Sequence, residues 1–173
     1  MADKKTTPTD KNKGAVSTDE QDPRNIQVKK IYTKDTSYEA PLTPAIFADT
    51  WEPKIDLNIT TAVKAAGEDS HEVSLKITAE AKLIDKTAFI AEVEQAGVFS
   101  ITGFDKEEFS RIVGSYCPNI LFPYARQTIG DLISKGGFPQ LILQPINFDS
   151  LYQQHLQEFN KAQVEATQIE TKH

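Results

Sequence analysis

The chain has 173 residues, 39% of them hydrophobic and 25% charged, and carries a net charge of −6. That length is one ordinary domain, and its acidic balance excludes phosphate backbones and anionic lipid headgroups as natural partners while favouring a basic protein. One cysteine, Cys117, rules out an intrachain disulfide; with no apolar h-region at the start and no run approaching the roughly 20 apolar residues of a membrane span, a cytoplasmic setting without direct membrane insertion is expected.

Residues 1–24 hold almost no large apolar side chain. Their lysines and Arg24 are matched by Asp3, Asp10, Asp19, Glu20 and Asp22, so a disordered, charge-balanced extension is expected there. A first strand is predicted over Ile26–Tyr38, where the alternation slips between Val28 and Ile31 and implies a bulge. Pro41, Pro44 and Pro53 then mark a long loop. Ile55, Leu57, Ile59 and Val63 outline a second strand, and Gly67 to Ser70 supply a turn. Val73, Leu75, Ile77, Ala79, Ala81 and Leu83 alternate strictly with polar residues, which predicts a strand with one solvated face. After a turn at Asp85–Lys86 a fourth strand runs from Thr87 to Ile101. There Phe89, Ala91, Val93, Phe99 and Ile101 share one face, and Ile90, Glu92 and Glu94 share the other. Short turns between these strands imply an antiparallel meander.

Beyond Gly103 the period becomes helical, through Phe109, Ile112, Val113 and Tyr116. Pro118 and Pro123 are expected to interrupt it. Helical spacing resumes at Leu121, Ala125, Thr128, Ile129, Leu132 and Ile133, and Gly136–Gly137 ends it. The segment 138–146 is apolar for a connection. A last helix is predicted from an Asn147 cap through Phe148, Leu151, Tyr152, Leu156 and Phe159, and residues 160–173 read as a flexible tail. Strands followed by helices make an α+β domain over 25–159, with helices covering one sheet face.

No nucleotide-binding, hydrolase or metalloprotease motif is present, so no catalytic residue, cofactor or metal is implied. His155 and Glu158 have the spacing of a surface pair, and Cys117 that of a small buried thiol. A metal site from His71, Cys117 and His155 would need three remote segments to converge. Two features depart from a bland domain. Asp35, Glu39, Glu92 and Glu94 fall on sheet positions; a solvated face is the leading explanation, and a docking patch for a basic protein, with Ile90 as its apolar element, is the other. Phe47, Trp51, Phe138, Leu141, Ile142 and Leu143 cluster near Pro and Gly in loops. They either fold back to cap the core or line an apolar groove suited to extended polypeptide, and the residues alone leave both open.

The segments IYTKDTSYEAP (31–41), Trp51 with Pro53, GVFSITG (97–103), YCPNILFPYAR (116–126) and GGFPQLILQPINFDSLY (136–152) resemble the SecB family of protein-export chaperones, over about residues 26–156. The resemblance implies a four-stranded antiparallel sheet with two main helices packed on one face. It implies a homotetramer, a dimer of dimers, in the bacterial cytoplasm. Such a protein is no enzyme but an ATP-independent holdase that keeps unfolded secretory precursors translocation-competent and delivers them to SecA, the translocase motor. By position, Asp35, Glu39, Ile90 and Glu92 match the family's SecA-docking residues. Its groove for unfolded clients points to Trp51, Phe138, Leu141 and Leu143, with weaker support for Tyr116 and Phe122; some of these are expected to be core. The extension before Ile26 is longer than the family usually carries, and the tail does not match it. Two other functions are weighed: a SecB-like chaperone dedicated to one cytoplasmic client such as an antitoxin, and a small-ligand binder using the apolar cavity.

Overall fold

The structure is a computed structural model that describes residues 24–170, with side chains described for 24–161. The extension expected over 1–24 therefore lies, apart from Arg24, outside the described residues.

Four strands, β1 (Asn25–Glu39), β2 (Lys54–Gly67), β3 (Ser70–Leu83) and β4 (Lys86–Thr102), form an antiparallel sheet in the order β1-β4-β3-β2. The predicted meander holds for β2, β3 and β4. β1 instead lies beside β4, because the loop over 40–53 is long enough to carry the chain across the sheet. The predicted bulge falls between Val28 and Lys30, and a second follows between Thr33 and Asp35. Each bulge flips the alternation of the residues beyond it. The second one moves Asp35 off the face of Ile31 and pairs it with Glu94.

The alternation in β3 is carried through fully: Val73, Leu75, Ile77, Ala79, Ala81 and Leu83 are all buried. A helical stretch covers them, beginning at α1 (Lys106–Arg111), passing through a π turn (Ile112–Tyr116) and continuing as α2 (Cys117–Lys135). Asp105 starts it with a capping box, accepting from the Glu108 N–H at 2.8 Å while its own N–H donates to the Glu108 carboxylate. The two prolines do not break the path. The wide π turn, in which the Cys117 N–H reaches back to the Ile112 carbonyl, ends just before Pro118, so the missing Pro118 N–H falls where the ladder changes from π to α spacing. Pro123 leaves the Asn119 carbonyl without its helical donor on the solvent side.

Packing decides where α2 rests. It lies against β4 and β3 and touches β1 only lightly. Gly97 of β4 allows the approach: a Cβ there would stand 3.1 Å from the Leu121 side chain and 3.1 Å from the Lys30 carbonyl oxygen. At the far end, Gly136 accommodates the Tyr38 hydroxyl, whose space a Cβ would fill.

The last helix, α3 (Phe148–Glu170), opens on Asn147, whose side-chain oxygen accepts from the Ser150 N–H at 3.0 Å as the sequence predicts. The break expected at Asn160 does not occur, and the helix continues to Glu170. It docks chiefly on the π turn, with the Tyr152 ring seated over Gly114, where a Cβ would be 2.5 Å from the ring.

The β3–β4 hairpin turns at Ile84–Asp85, and Ile84 takes a left-handed φ of 56° while 94% exposed. A β-branched residue is strained there and buries nothing in return. Replacing it with asparagine, Ile84→Asn, is expected to raise stability by about 0.5–1 kcal/mol, read as a higher urea midpoint at an unchanged slope.

Candidate functional site

β4 presents its alternate residues to opposite faces. On the face away from α2, the register sets Glu39 opposite Ile90, Ser37 opposite Glu92 and Asp35 opposite Glu94. The four residues assigned by resemblance to SecA docking, Asp35, Glu39, Ile90 and Glu92, thus share one surface, with Glu94 beside them. The next strand adds Glu80, Thr78 and Lys76. Asp35 and Glu39 are exposed and make no hydrogen bond or ion pair among the described residues. Glu92 is held: Lys76 Nζ lies 2.7 Å from its Oε1, and the Thr78 hydroxyl donates to Oε2 at 2.9 Å. Lys34 reaches Glu72 at 2.6 Å and Glu94 at 3.5 Å, and Tyr32 donates to Glu72 as well.

These contacts tune the carboxyls. The hydrogen bonds from Lys34 and Tyr32 hold Glu72 below the usual carboxylate range, Lys76 does the same for Glu92, and Lys82 does so for Glu80. All three are favoured in their charged forms.

On the helix-covered face the sequence-predicted groove residues separate. Phe138 is buried at the centre of a ring cluster, with centroids 5.0 Å from Phe47 and 5.2 Å from both Trp51 and Phe89. Trp51 is half-buried on the rim of that cluster. Leu143 is buried, and so is Phe122, whose ring meets Phe148 at 5.8 Å. Phe122, Phe138 and Leu143 are therefore core residues in this chain, a correction to their expected place in an open groove. The loop that carries Phe138 and Leu143 folds back, setting the Phe138 ring against Phe89, because a large ring removes more area from water there than it could on the surface. Leu141 is half-buried near Ile142, over a shallow depression beside Pro123 and Arg126. Tyr116 is exposed but lines a different hollow, with Ile26, Phe104 and Ile112. The six residues do not form one surface.

An apolar surface does stay open, and different residues build it. The helix-side residues of β2 extend past the cover of α2, leaving Leu57 at 48% and Val63 at 40% exposure. Opposite them α3 shows Leu151 and, further along, Phe159, which is 55% exposed. Between β2 and α3 lies a cleft of about 620 Å³, lined by Ile59, Val63, Val113, Phe148, Leu151 and Tyr152, with His155 and Glu158 at its polar side. The signals were present as a sparse apolar face on the second strand and a helical stripe on the last helix. Each read as core because a stripe does not reveal how much of it is covered.

His71 packs its ring on Phe109 at 4.7 Å, and His155 faces the cleft, so the two lie in separate surroundings. Cys117 is buried, which pushes its thiol up to about 12 and leaves it protonated and inert. Among the described residues no group of three His, Cys, Asp or Glu side chains could hold a metal ion, and no helix is long and apolar enough to cross a membrane.

The profile of the SecB family, described as preprotein translocase subunit SecB, matches residues 19–159. A protein-export protein SecB from Methylococcus capsulatus is 49% identical over 138 residues, covering 80% of this chain and 89% of the relative. The chain belongs to the SecB family. It is accordingly a protein-export chaperone rather than an enzyme. The fold agrees with a solved SecB-like chaperone of Mycobacterium tuberculosis, determined in complex with a ChAD peptide from an antitoxin. That structure superposes with a TM-score of 0.57 at 22% identity, over 70% of this chain and 87% of the other.

Two outcomes separate core from surface in this SecB family member. Truncation of Phe138 to alanine is expected to cost about 3–5 kcal/mol in urea denaturation, as for a ring lost from a core; a loss under about 1 kcal/mol would return it to an open groove. The lowered carboxyls stabilise the fold fully above their ordinary value of 4.5, and that contribution is lost as pH falls through their lowered values. A Glu72→Gln variant should therefore be less stable than the parent at pH 7, with the gap closing on titration below pH 4.5.

Proposed function

We propose that this SecB family member is an ATP-independent holdase of the bacterial cytoplasm, which keeps secretory precursors unfolded and delivers them to SecA. The observation that carries the reading is the open apolar strip of β2 and α3, beside the outer edge that β2 forms in the sheet. Extended polypeptide supplies what each lacks: apolar side chains gain about 2.5 kcal/mol per 100 Å² buried, and unpaired N–H and C=O groups can add to a strand edge. A folded protein hides both, so slow folders are selected without a sequence motif. The free strand edges give copies of the chain surfaces to join in a homotetramer, a dimer of dimers, and several weak sites on one particle hold a long client by avidity. Asp35, Glu39, Ile90 and Glu92 supply an acidic surface with one apolar anchor, fitted to a basic patch on SecA.

The test is refolding of a urea-unfolded secretory precursor, diluted without ATP in the presence and absence of the chaperone. Refolding is expected to stop near one tetramer per client and to resume when SecA is added. The variant carrying Asp35→Asn and Glu39→Gln should still arrest refolding yet lose release by SecA. Unchanged refolding of general precursors, with capture of one cytoplasmic client only, would favour a dedicated chaperone instead.

A further inference from the structure

Three carboxylates of the acidic face are not equivalent. Asp35 and Glu39 stand exposed and make no hydrogen bond or ion pair among the described residues, Asp35 adding only a longer-range attraction to Lys76, whereas both oxygens of Glu92 are occupied by Lys76 and Thr78. Thr78 is directly opposite Glu92 in the β3–β4 register. Lys76 is opposite Glu94, yet its ammonium crosses diagonally to Glu92, while Glu94 is engaged by Lys34 at 3.5 Å. The lysine side chain is 45% exposed and the glutamate 23%, so the pair sits where water and a partner can reach it.

We propose that Lys76 is an internal competitor for Glu92, so that a cationic partner docks on this face by exchanging with the lysine. The inference rests on the reading that this face receives SecA. Contact with Asp35 and Glu39 needs no rearrangement and makes the first encounter. Engagement of Glu92 requires a guanidinium or ammonium from the partner to displace Lys76, while an apolar group meets Ile90 beside it. An exposed ion pair is weak enough to exchange. A stray cation that offers charge alone gains little, since it breaks one pair to make another; a partner that also fills the Ile90 position gains more. The pairing thereby favours a shaped basic surface over unstructured polycations, which unfolded clients often carry. Mutual stabilisation of the two charges agrees with this: the hydrogen bond raises the Lys76 ammonium's pKa and lowers that of Glu92.

The test measures SecA binding to the full-length chaperone by titration calorimetry at low and high salt. Lys76→Gln is compared with Lys54→Gln, which removes the same charge from the far edge of the same face, where Lys54 pairs with Asp56 at 3.8 Å. Lys76→Gln is expected to tighten binding about two- to fivefold beyond the control, the range spanned by one exposed ion pair. The gain should shrink at high salt and fall sharply when Glu92→Gln is added, since the carboxylate that Lys76 occupies directly is then gone. Equal effects of Lys76→Gln and Lys54→Gln, with Glu92→Gln still weakening SecA, would overturn the exchange and leave the docking face intact. Binding indifferent to Glu92→Gln, Asp35→Asn and Glu39→Gln alike would overturn both. Far-UV spectra and urea midpoints of each variant exclude misfolding as the cause.

Discussion

The width of one helix governs this molecule. Four strands about 4.8 Å apart span about 14 Å between the outermost axes, whereas a helix with its side chains is about 10 Å across. A single helix can therefore seal two strands and no more. α2 settles on the inner pair, β4 and β3, drawn down by Gly97, and every apolar residue of β3 vanishes beneath it. β1 is partly rescued by Tyr38, whose ring stacks near Phe89, and by the crossover loop with Ile46 and Trp51. β2 has no such help. Leu57 and Val63 stay open because α3, held at its start by Phe148 and Tyr152, stands off rather than lying down.

β4 separates the acidic face from the core. Phe89, Ala91 and Val93 face the core, while Ile90, Glu92 and Glu94 face outward from the same strand. The acidic face and the apolar cleft thus lie on opposite sides of one sheet, a single backbone layer apart. A molecule on one side of the sheet leaves the other side of that subunit sterically free. Charge is divided in the same way. The outward face carries the ion pairs of Lys34 and Lys76, and the cleft is mostly apolar with polar groups at its edge.

Much of the fold was legible in the sequence where a period repeats. Six alternations fixed β3, and the slip near Val28 foretold the first bulge. The second bulge, at Thr33–Asp35, carried no signal of its own, since polar residues on an exposed edge fit either face. Its effect is large, because without it Asp35 would oppose Val93 on the core side instead of lying beside Glu94. The prolines of the long helix were read as breaks; a π turn absorbs the first and solvent exposure tolerates the second. The groove was the least legible part. Phe138 and Leu143 neighbour Gly and Pro just as exposed anchors would, and only the packing shows that they turn inward, Phe138 against Phe89. Leu57 and Leu151 looked like core for the opposite reason: pattern records which face a residue is on, not whether anything covers it.

Sheet order also sets a schedule for synthesis. β2, β3 and β4 are hairpin neighbours and can pair as they leave the ribosome, but the partners of β1 lie across a long stretch of chain, with Asn25 meeting Thr102. The first strand made is thus the last to find its place. Until β4 is complete, every nascent copy holds out an unpaired strand, and so passes through the same exposed condition as an unfolded precursor.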